Sequence, residues 1–284
     1  MQTRRIGDRV VGAVGLGAMP LSVEGRPDED RALATIHAAL DAGVTLIDTA
    51  DAYYAQADGV GHNEALVAKA LAAHDRGGDV LVATKGGHLR PDGGWTVDGS
   101  PEHLRRACEA SLARLGVEAI GLYQFHRPDP SVPYAESLGA LSELLSEGKI
   151  RMAGVSNVDP DLIRLAHDIL GENLVSVQNQ FSPAFRSSEP ELRLCDELGL
   201  AFLPWSPLGG MSRAGGLGSA HTAFARVAEE HGVSPQRVCL AWMLAKSPHV
   251  VPIPGASRPE TVRDSAAAAD LALTDEEIAA LDAA

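Results

Sequence analysis

Aromatic residues make up only 4% of the 284-residue chain, too few for the stacking surface of a nucleic-acid binder and out of character for a β-sandwich. No apolar run reaches the eighteen residues or so that a membrane-spanning helix requires. Cysteine is scarce: Cys108, Cys195 and Cys239 lie far apart, and their odd number cannot pair fully within one chain. They read as reduced residues in apolar sites of a cytosolic protein. The opening residues, Met-Gln-Thr-Arg-Arg-Ile-Gly, lack the apolar core of an export signal, so a cytoplasmic location is expected. Positive charge is in deficit, with 24 Lys and Arg against 38 Asp and Glu for a net charge of −14. That balance argues against nucleic acid or an anionic membrane as partner. No His-x-His or His-Glu-x-x-His occurs, so no metal is expected, and without Gly-x-Ser-x-Gly a serine hydrolase has no support. Pro20 stands where Gly15-Leu-Gly17 would need a further glycine to make the dinucleotide fingerprint, so the segment reads as a strand with tight backbone packing.

What is present is alternation. Short apolar or β-branched runs at Ala13 to Met19, Val44 to Asp48, Val80 to Thr84, Ala119 to His126, Ile150 to Val155, Leu174 to Gln178, Leu200 to Trp205 and Val250 to Ile253 read as strands. Helices fall between them, with clear start signals at Pro27-Asp28, Ser100-Pro101, Asp159-Pro160 and Ser234-Pro235. Eight strand–helix repeats in one chain, with no linker-like tract, predict an α/β fold: a single (β/α)₈ TIM barrel over residues 1–284. Residues 1 to 12, with Gly7-Asp8 between apolar runs, predict an N-terminal β-hairpin closing the bottom of the barrel. Ser206 to Ser219, rich in glycine, predicts a mobile loop over the mouth.

Barrel active sites form at the C-terminal ends of the strands. The polar residues at those ends are Asp48, with Tyr53 just beyond it, Lys85, His126, Ser156 and Asn157, Gln178, and Trp205 with Ser206. A lysine closing a buried strand needs a carboxylate to face it, and Asp48 on the neighbouring strand supplies one. A phenol titrates near pH 10 in isolation, so a tyrosine that gives up a proton near neutrality needs a nearby cation. Lys85 held by Asp48 meets that need for Tyr53, and His126 offers a donor to a carbonyl oxygen. The set suits proton transfer to a carbonyl oxygen while hydride reaches its carbon. Side chains cannot deliver hydride, so a nicotinamide cofactor is implied.

At this point the chain resembles an aldo-keto reductase over nearly its whole length. The resemblance rests on Asp48-Thr-Ala-Asp-Ala-Tyr53, Ala83-Thr-Lys85-Gly, Gln124-Phe-His126-Arg-Pro-Asp129, Gly154-Val-Ser156-Asn157, Gln178-Asn-Gln-Phe, Trp205-Ser-Pro-Leu-Gly209 and Pro252-Ile-Pro-Gly255. Seven segments in order at successive strand ends make a specific pattern. The resemblance implies a catalytic tetrad of Asp48, Tyr53, Lys85 and His126, with Tyr53 as general acid. It also implies that Ser156, Asn157 and Gln178 hold the nicotinamide carboxamide, that Trp205 stacks on the ring, and that Ser206, Leu208 and Gly210 line the pyrophosphate. Gly255, Ser257, Arg258 and Asp264 fall in the segment that usually grips the adenosine end, where the match is imperfect. Arg258 and Ser257 can still bind a 2′-phosphate, a guanidinium pairing with phosphate in two-pronged fashion, so NADPH is expected over NADH, and a capped surface helix starting at Pro259 is the alternative reading of that segment.

The expected partner is a small-molecule carbonyl substrate, and the protein is expected to be a monomer. Met19, Tyr54, His88, Trp95, Arg127 and Met211 are expected to rim an open, weakly selective pocket, although His88 and Trp95 read equally well as solvent-side loop residues. Two alternatives to carbonyl reduction remain: a cofactor-binding regulatory module with little turnover, and an NAD-dependent sugar or alcohol dehydrogenase working in the oxidative direction.

Overall fold

A computed structural model describes residues 1–284. Eleven strands and eleven helices form around one parallel sheet that curls into a barrel. A hairpin of β1 (Thr3–Ile6) and β2 (Arg9–Gly12) comes first, joined by Gly7-Asp8 with Gly7 at a φ of 56°. Seven parallel strands follow: β3 (Leu16–Gly17), β4 (Leu46–Asp48), β5 (Leu81–Gly86), β8 (Ile120–Phe125), β9 (Ile150–Ser156), β10 (Leu174–Gln178) and β11 (Ala201–Phe202), neighbours in that order. Between β5 and β8 a second small hairpin, β6 (His88–Leu89) with β7 (Thr96–Val97), stands apart from the sheet. His88 and Trp95, which read as possible loop residues, therefore belong to a hairpin and its turn.

The eighth barrel segment is extended but is not a regular strand, because Pro252 and Pro254 have no N–H to give the ladder. It still closes the ring. Val251 N and Ile253 N donate to Phe202 O and Pro204 O on one side, and Gly15 N and Gly17 N donate to Pro252 O and Pro254 O on the other. The approach on β3 is close: a Cβ on Gly17 would lie 2.7 Å from Ile253 O. The tight packing expected of Gly15-Leu-Gly17 is thus a strand laid directly on the closing segment. Gly17→Ala should destabilise the protein by about 1–3 kcal/mol, because backbone must shift to admit the methyl. Urea unfolding checks this, and an unchanged midpoint would show that residues 252–254 yield freely.

Ile6 and Val11 of the first hairpin join Leu46, Leu81, Leu122, Met152 and Val175 in one buried cluster inside the barrel. The hairpin thus plugs the bottom, and the barrel's open cavity lies at the opposite mouth. A larger cluster packs the outer sheet face, with Tyr123, Phe125 and Val155, against the helices.

Helices with a capping residue begin where the sequence places them. Asp28, Ser100, Asp159 and Ser234 each accept an N–H of the first turn of α1 (Glu29–Asp41), α3 (Pro101–Leu115), α5 (Pro160–Leu170) and α9 (Pro235–Lys246). Four further helices, α2 (His62–Ala72), α4 (Tyr134–Ser146), α6 (Glu189–Leu198) and α8 (Thr222–His231), begin without a side-chain cap. One expected strand end and the expected mouth loop also differ from the sequence reading. Met19 lies in a 3₁₀ turn, Met19–Leu21, and residues 206–219 contain a 3₁₀ turn at Ala214–Gly216 and the start of α7 (Leu217–Ala220). No helix is long and apolar enough to cross a membrane.

Candidate active site

Strand ends that are distant in sequence become neighbours at the barrel mouth. β4 ends on Asp48, β5 carries Lys85 next to its end, and the register pairs Asp48 with Ala83 and Lys85 with Gln124. Lys85 is fully buried, and its Nζ donates to Asp48 Oδ2 at 2.7 Å, to Thr49 O at 2.8 Å and to Tyr53 Oη at 3.1 Å. Three acceptors satisfy all three ammonium protons. The other Asp48 oxygen accepts from Gln178 Nε2 at 2.8 Å and from Gln124 Nε2 at 3.4 Å. A buried ion pair persists only when its spare lone pairs are taken up in this way.

Tyr53 and His126 face each other edge to face, with ring centroids 5.7 Å apart. Burial pushes the Tyr53 phenol above its ordinary value, Lys85 pulls it down, and Asp48 pushes it back up. The net direction is upward, so the sequence-based expectation of an acidified phenol is corrected here. Desolvation outweighs the ammonium, and Tyr53 is a protonated donor at neutral pH. Burial lowers Lys85, but Asp48 and Tyr53 outweigh it, and the ammonium is held above its ordinary value. Burial, then the charge of Lys85, holds His126 well below the usual imidazole range, so its ring is neutral.

Above these residues opens a cavity of about 540 Å³. Asp48, Tyr53 and His126 line it, while Lys85 sits behind them. Ser156, Asn157, Gln178, Trp205, Ser206, Leu208, Gly210 and Gly255 also line it, together with Met19, His88, Trp95, Arg127 and Met211. Three of the residues expected at the adenosine end, Ser257, Arg258 and Asp264, do not. Asp264 is occupied elsewhere: Arg237 binds its carboxylate at 2.6 Å and Ser234 Oγ donates to it, which fastens α10 (Pro259–Ala266) to α9. Tyr54 also lies outside the cavity. Its hydroxyl donates to Arg90 O, and it walls a smaller cavity of about 240 Å³ with Asp51 and His103.

The amide and hydroxyl groups at the mouth hold one another in place. Ser156 Oγ donates to Gln178 O, and Asn157 Nδ2 donates to His126 O and Ser156 Oγ while its oxygen accepts from Arg127. Asn157 adopts a left-handed φ of 59°, a strained backbone that such a network can sustain. Beyond Trp205 the chain runs through positive φ at Ser206, Gly209 and Gly210, which bends it around the cavity wall.

Sequence reasoning missed Gln124 and Thr49, the remaining partners of the ion pair, and a buried cluster behind the Tyr53 loop. In that cluster Glu64 accepts from Thr84 Oγ1 at 2.6 Å and from Arg114. Asp51 is pushed up to about 8 by burial and by Glu64. The one sequence feature that could have revealed it is the helical period of α2, whose buried face carries Glu64.

A model of the Aldo/keto reductase family matches residues 13–284. An uncharacterized oxidoreductase of Schizosaccharomyces pombe is 35% identical over 285 residues, covering 99% of this chain and 89% of the relative. A 6-dehydroglucose reductase of Novosphingobium aromaticivorans is 37% identical over 272 residues, covering 91% and 86%. Among solved structures, an aldo-keto reductase from Klebsiella pneumoniae in complex with NADPH superposes with a TM-score of 0.82 at 31% identity, covering 99% of this chain and 94% of that one.

Proposed function

The chain belongs to the aldo/keto reductase family, and on that premise we propose that it reduces aldehydes or ketones to alcohols with NADPH, using Tyr53 as general acid. The carrying observation is the Lys85 ammonium, which touches Asp48 and Tyr53 Oη at once beneath the cavity that His126 lines.

The donor set fits a nicotinamide dinucleotide. One end of the cavity carries Ser156, Asn157 and Gln178, suited to a carboxamide, and Trp205 adds a flat half-buried face whose Nε1 has no partner. The backbone at Ser206, Leu208 and Gly210 bears no bulky polar side chain, which suits a pyrophosphate. Arg258 is exposed and makes no ion pair, so with Ser257 it is open to a 2′-phosphate, and Gly255 keeps the adjoining wall low. Asp264 would hold the helix carrying Arg258 rather than touch the dinucleotide.

When bound, the reduced cofactor supplies hydride to the carbonyl carbon. The protein's own groups manage the oxygen. His126, neutral and at the cavity wall, orients the carbonyl. The Tyr53 hydroxyl would donate its proton to that oxygen as the carbonyl π pair moves onto it, and Lys85 would stabilise the phenolate left behind. A phenol held above its ordinary value stays protonated at neutral pH, the form that reduction requires of a proton donor.

The purified protein should consume NADPH when given an aldehyde such as benzaldehyde. Arg258→Ala should raise the KM for NADPH about fivefold to tenfold, the effect of an exposed charge-assisted contact, and leave the KM for NADH unchanged. Absence of turnover with either cofactor would end the reductase reading, whereas an equal change for both would end the 2′-phosphate assignment alone.

A further inference from the structure

His126 is held by its backbone but not by its ring. Its N–H donates to Gly86 O at 3.0 Å and its carbonyl accepts from Asn157 Nδ2 at 3.0 Å, yet the ring Nδ1 is buried without a hydrogen-bond partner. Histidines that orient a ligand are usually fixed through the other ring nitrogen. Here something else must set the ring plane. The Tyr53 edge touches one side. On the other, His88 lies stacked on the imidazole, centroids 4.0 Å apart and planes 26° from parallel.

His88 is itself carried by a braced element. It sits on β6, paired with Val97 of β7, and its ring lies 5.4 Å from that of Trp95 in the connecting turn. Arg90, almost fully buried, locks the turn: its guanidinium donates to Tyr54 O at 2.6 Å and Gly93 O at 3.0 Å, pairs with Glu24 at 3.1 Å, and lies 4.5 Å over the Trp95 ring. A chain of contacts therefore runs from Glu24 through Arg90 and Trp95 to His88 and ends on His126.

We propose that His88 is a positioning residue, whose ring face holds the His126 imidazole in the plane that presents it to substrate and keeps water from it. The inference rests on His126 orienting the carbonyl. The groups facing His126 are Lys85 from β5, Arg127 from the loop after β8, the Tyr53 phenol from the loop after β4, and His88 itself. Two of these are cations, so protonation of His126 is opposed from two sides, and the dry face supplied by His88 reinforces that opposition. His88 is also pushed down, to about 4, by burial and then by Arg127, so the stack is between two neutral rings.

The test reads the His126 ring directly. Long-range proton–nitrogen NMR of the histidine side chains, with His126 assigned from the spectrum of His126→Gln, should show a neutral His126 from about pH 5 to 8 in the wild-type protein. His88→Ala should bring a titration of His126 into that window, and His88→Phe, which keeps an aromatic face, should suppress it again. In aldehyde reduction His88→Ala should lower kcat about tenfold, the scale of a misaligned catalytic contact. His88→Phe should stay within about threefold of wild type, and the Kd for NADPH should change less than about twofold in both. Identical His126 titration in wild type and His88→Ala, or a His88→Phe as impaired as His88→Ala, overturns the proposal. The NMR result stands even if the wild-type protein reduces no aldehyde, so failure of the reductase reading is separately visible.

Discussion

Tyr53→Phe should lower kcat for aldehyde reduction by at least about a thousandfold, within the range ascribed to a positioned general acid, while the Kd for NADPH stays within about twofold. The hydroxyl is the atom at stake. It lies 3.1 Å from Lys85 Nζ, and phenylalanine keeps the ring, its packing and its edge toward His126 while deleting only the proton that the reaction transfers. A fall in kcat and kcat/KM together, with cofactor binding intact, marks an interaction made in the transition state. The pH dependence follows from the direction of the phenol's shift. Burial pushes Tyr53 above its ordinary value, so the acid form persists through neutral and moderately alkaline solution, and reduction should not decline until strongly alkaline pH. Alcohol oxidation needs the phenolate, so its rate should climb across the same alkaline range. A Tyr53→Phe protein that reduces benzaldehyde at the wild-type rate would remove Tyr53 from the mechanism. A reduction rate already falling at neutral pH would show that Lys85 outweighs burial.

The clustering of Asp48, Tyr53, Lys85 and His126 was legible because a parallel barrel converts sequence order into spatial adjacency. Asp48 closes β4, Lys85 lies next to the end of β5 and His126 directly follows β8, so neighbouring strands bring the three to one mouth, with Lys85 and Asp48 in hydrogen-bond contact. The helices that announce themselves do so through a side chain satisfying an orphan N–H, as Ser100 does for His103. Helix α2 starts instead at Gly61, whose φ of 84° turns the chain without any side-chain signal, and it carries the buried Glu64 that went unseen. The β6–β7 hairpin had no legible pattern either. Its strands are two residues each, and the turn is held by Arg90 reaching Glu24 and Tyr54, contacts that exist only after the barrel forms. The same limit explains the phenol. Residue types show that a cation and a carboxylate accompany Tyr53, but the net direction depends on burial and on distances that no spacing encodes. Asp264 illustrates a different limit: its position in a family pattern suggested the cofactor, whereas its nearest cation is Arg237 of an adjacent helix.

Lys85→Met should damage the protein twice, in catalysis and in stability, and the two effects should separate. Methionine nearly matches the lysine stem in volume but cannot donate. Asp48 Oδ2 then loses its partner inside a site only 3% exposed. Breaking a buried pair by removing one member typically costs about 3–5 kcal/mol, mostly as the penalty of the charge left behind. For a chain of this size that corresponds to roughly 6–10 °C in Tm, at the lower end of the usual conversion. The wild-type ammonium is held above its ordinary value, so its stabilising contribution is complete below the unfolded lysine value of about 10.4 and fades only as pH rises through the folded one. The difference between wild type and Lys85→Met should therefore be steady through neutral pH. Adding Asp48→Asn to Lys85→Met should restore most of the lost stability, since a neutral amide can still accept from Gln178, yet aldehyde reduction should remain undetectable. Thermal unfolding of the single and double variants decides the first point, and stopped-flow hydride transfer decides the second. If the double variant is no more stable than Lys85→Met, the damage comes from lost packing rather than from a stranded carboxylate. If it regains activity, the ammonium has no part in the chemistry.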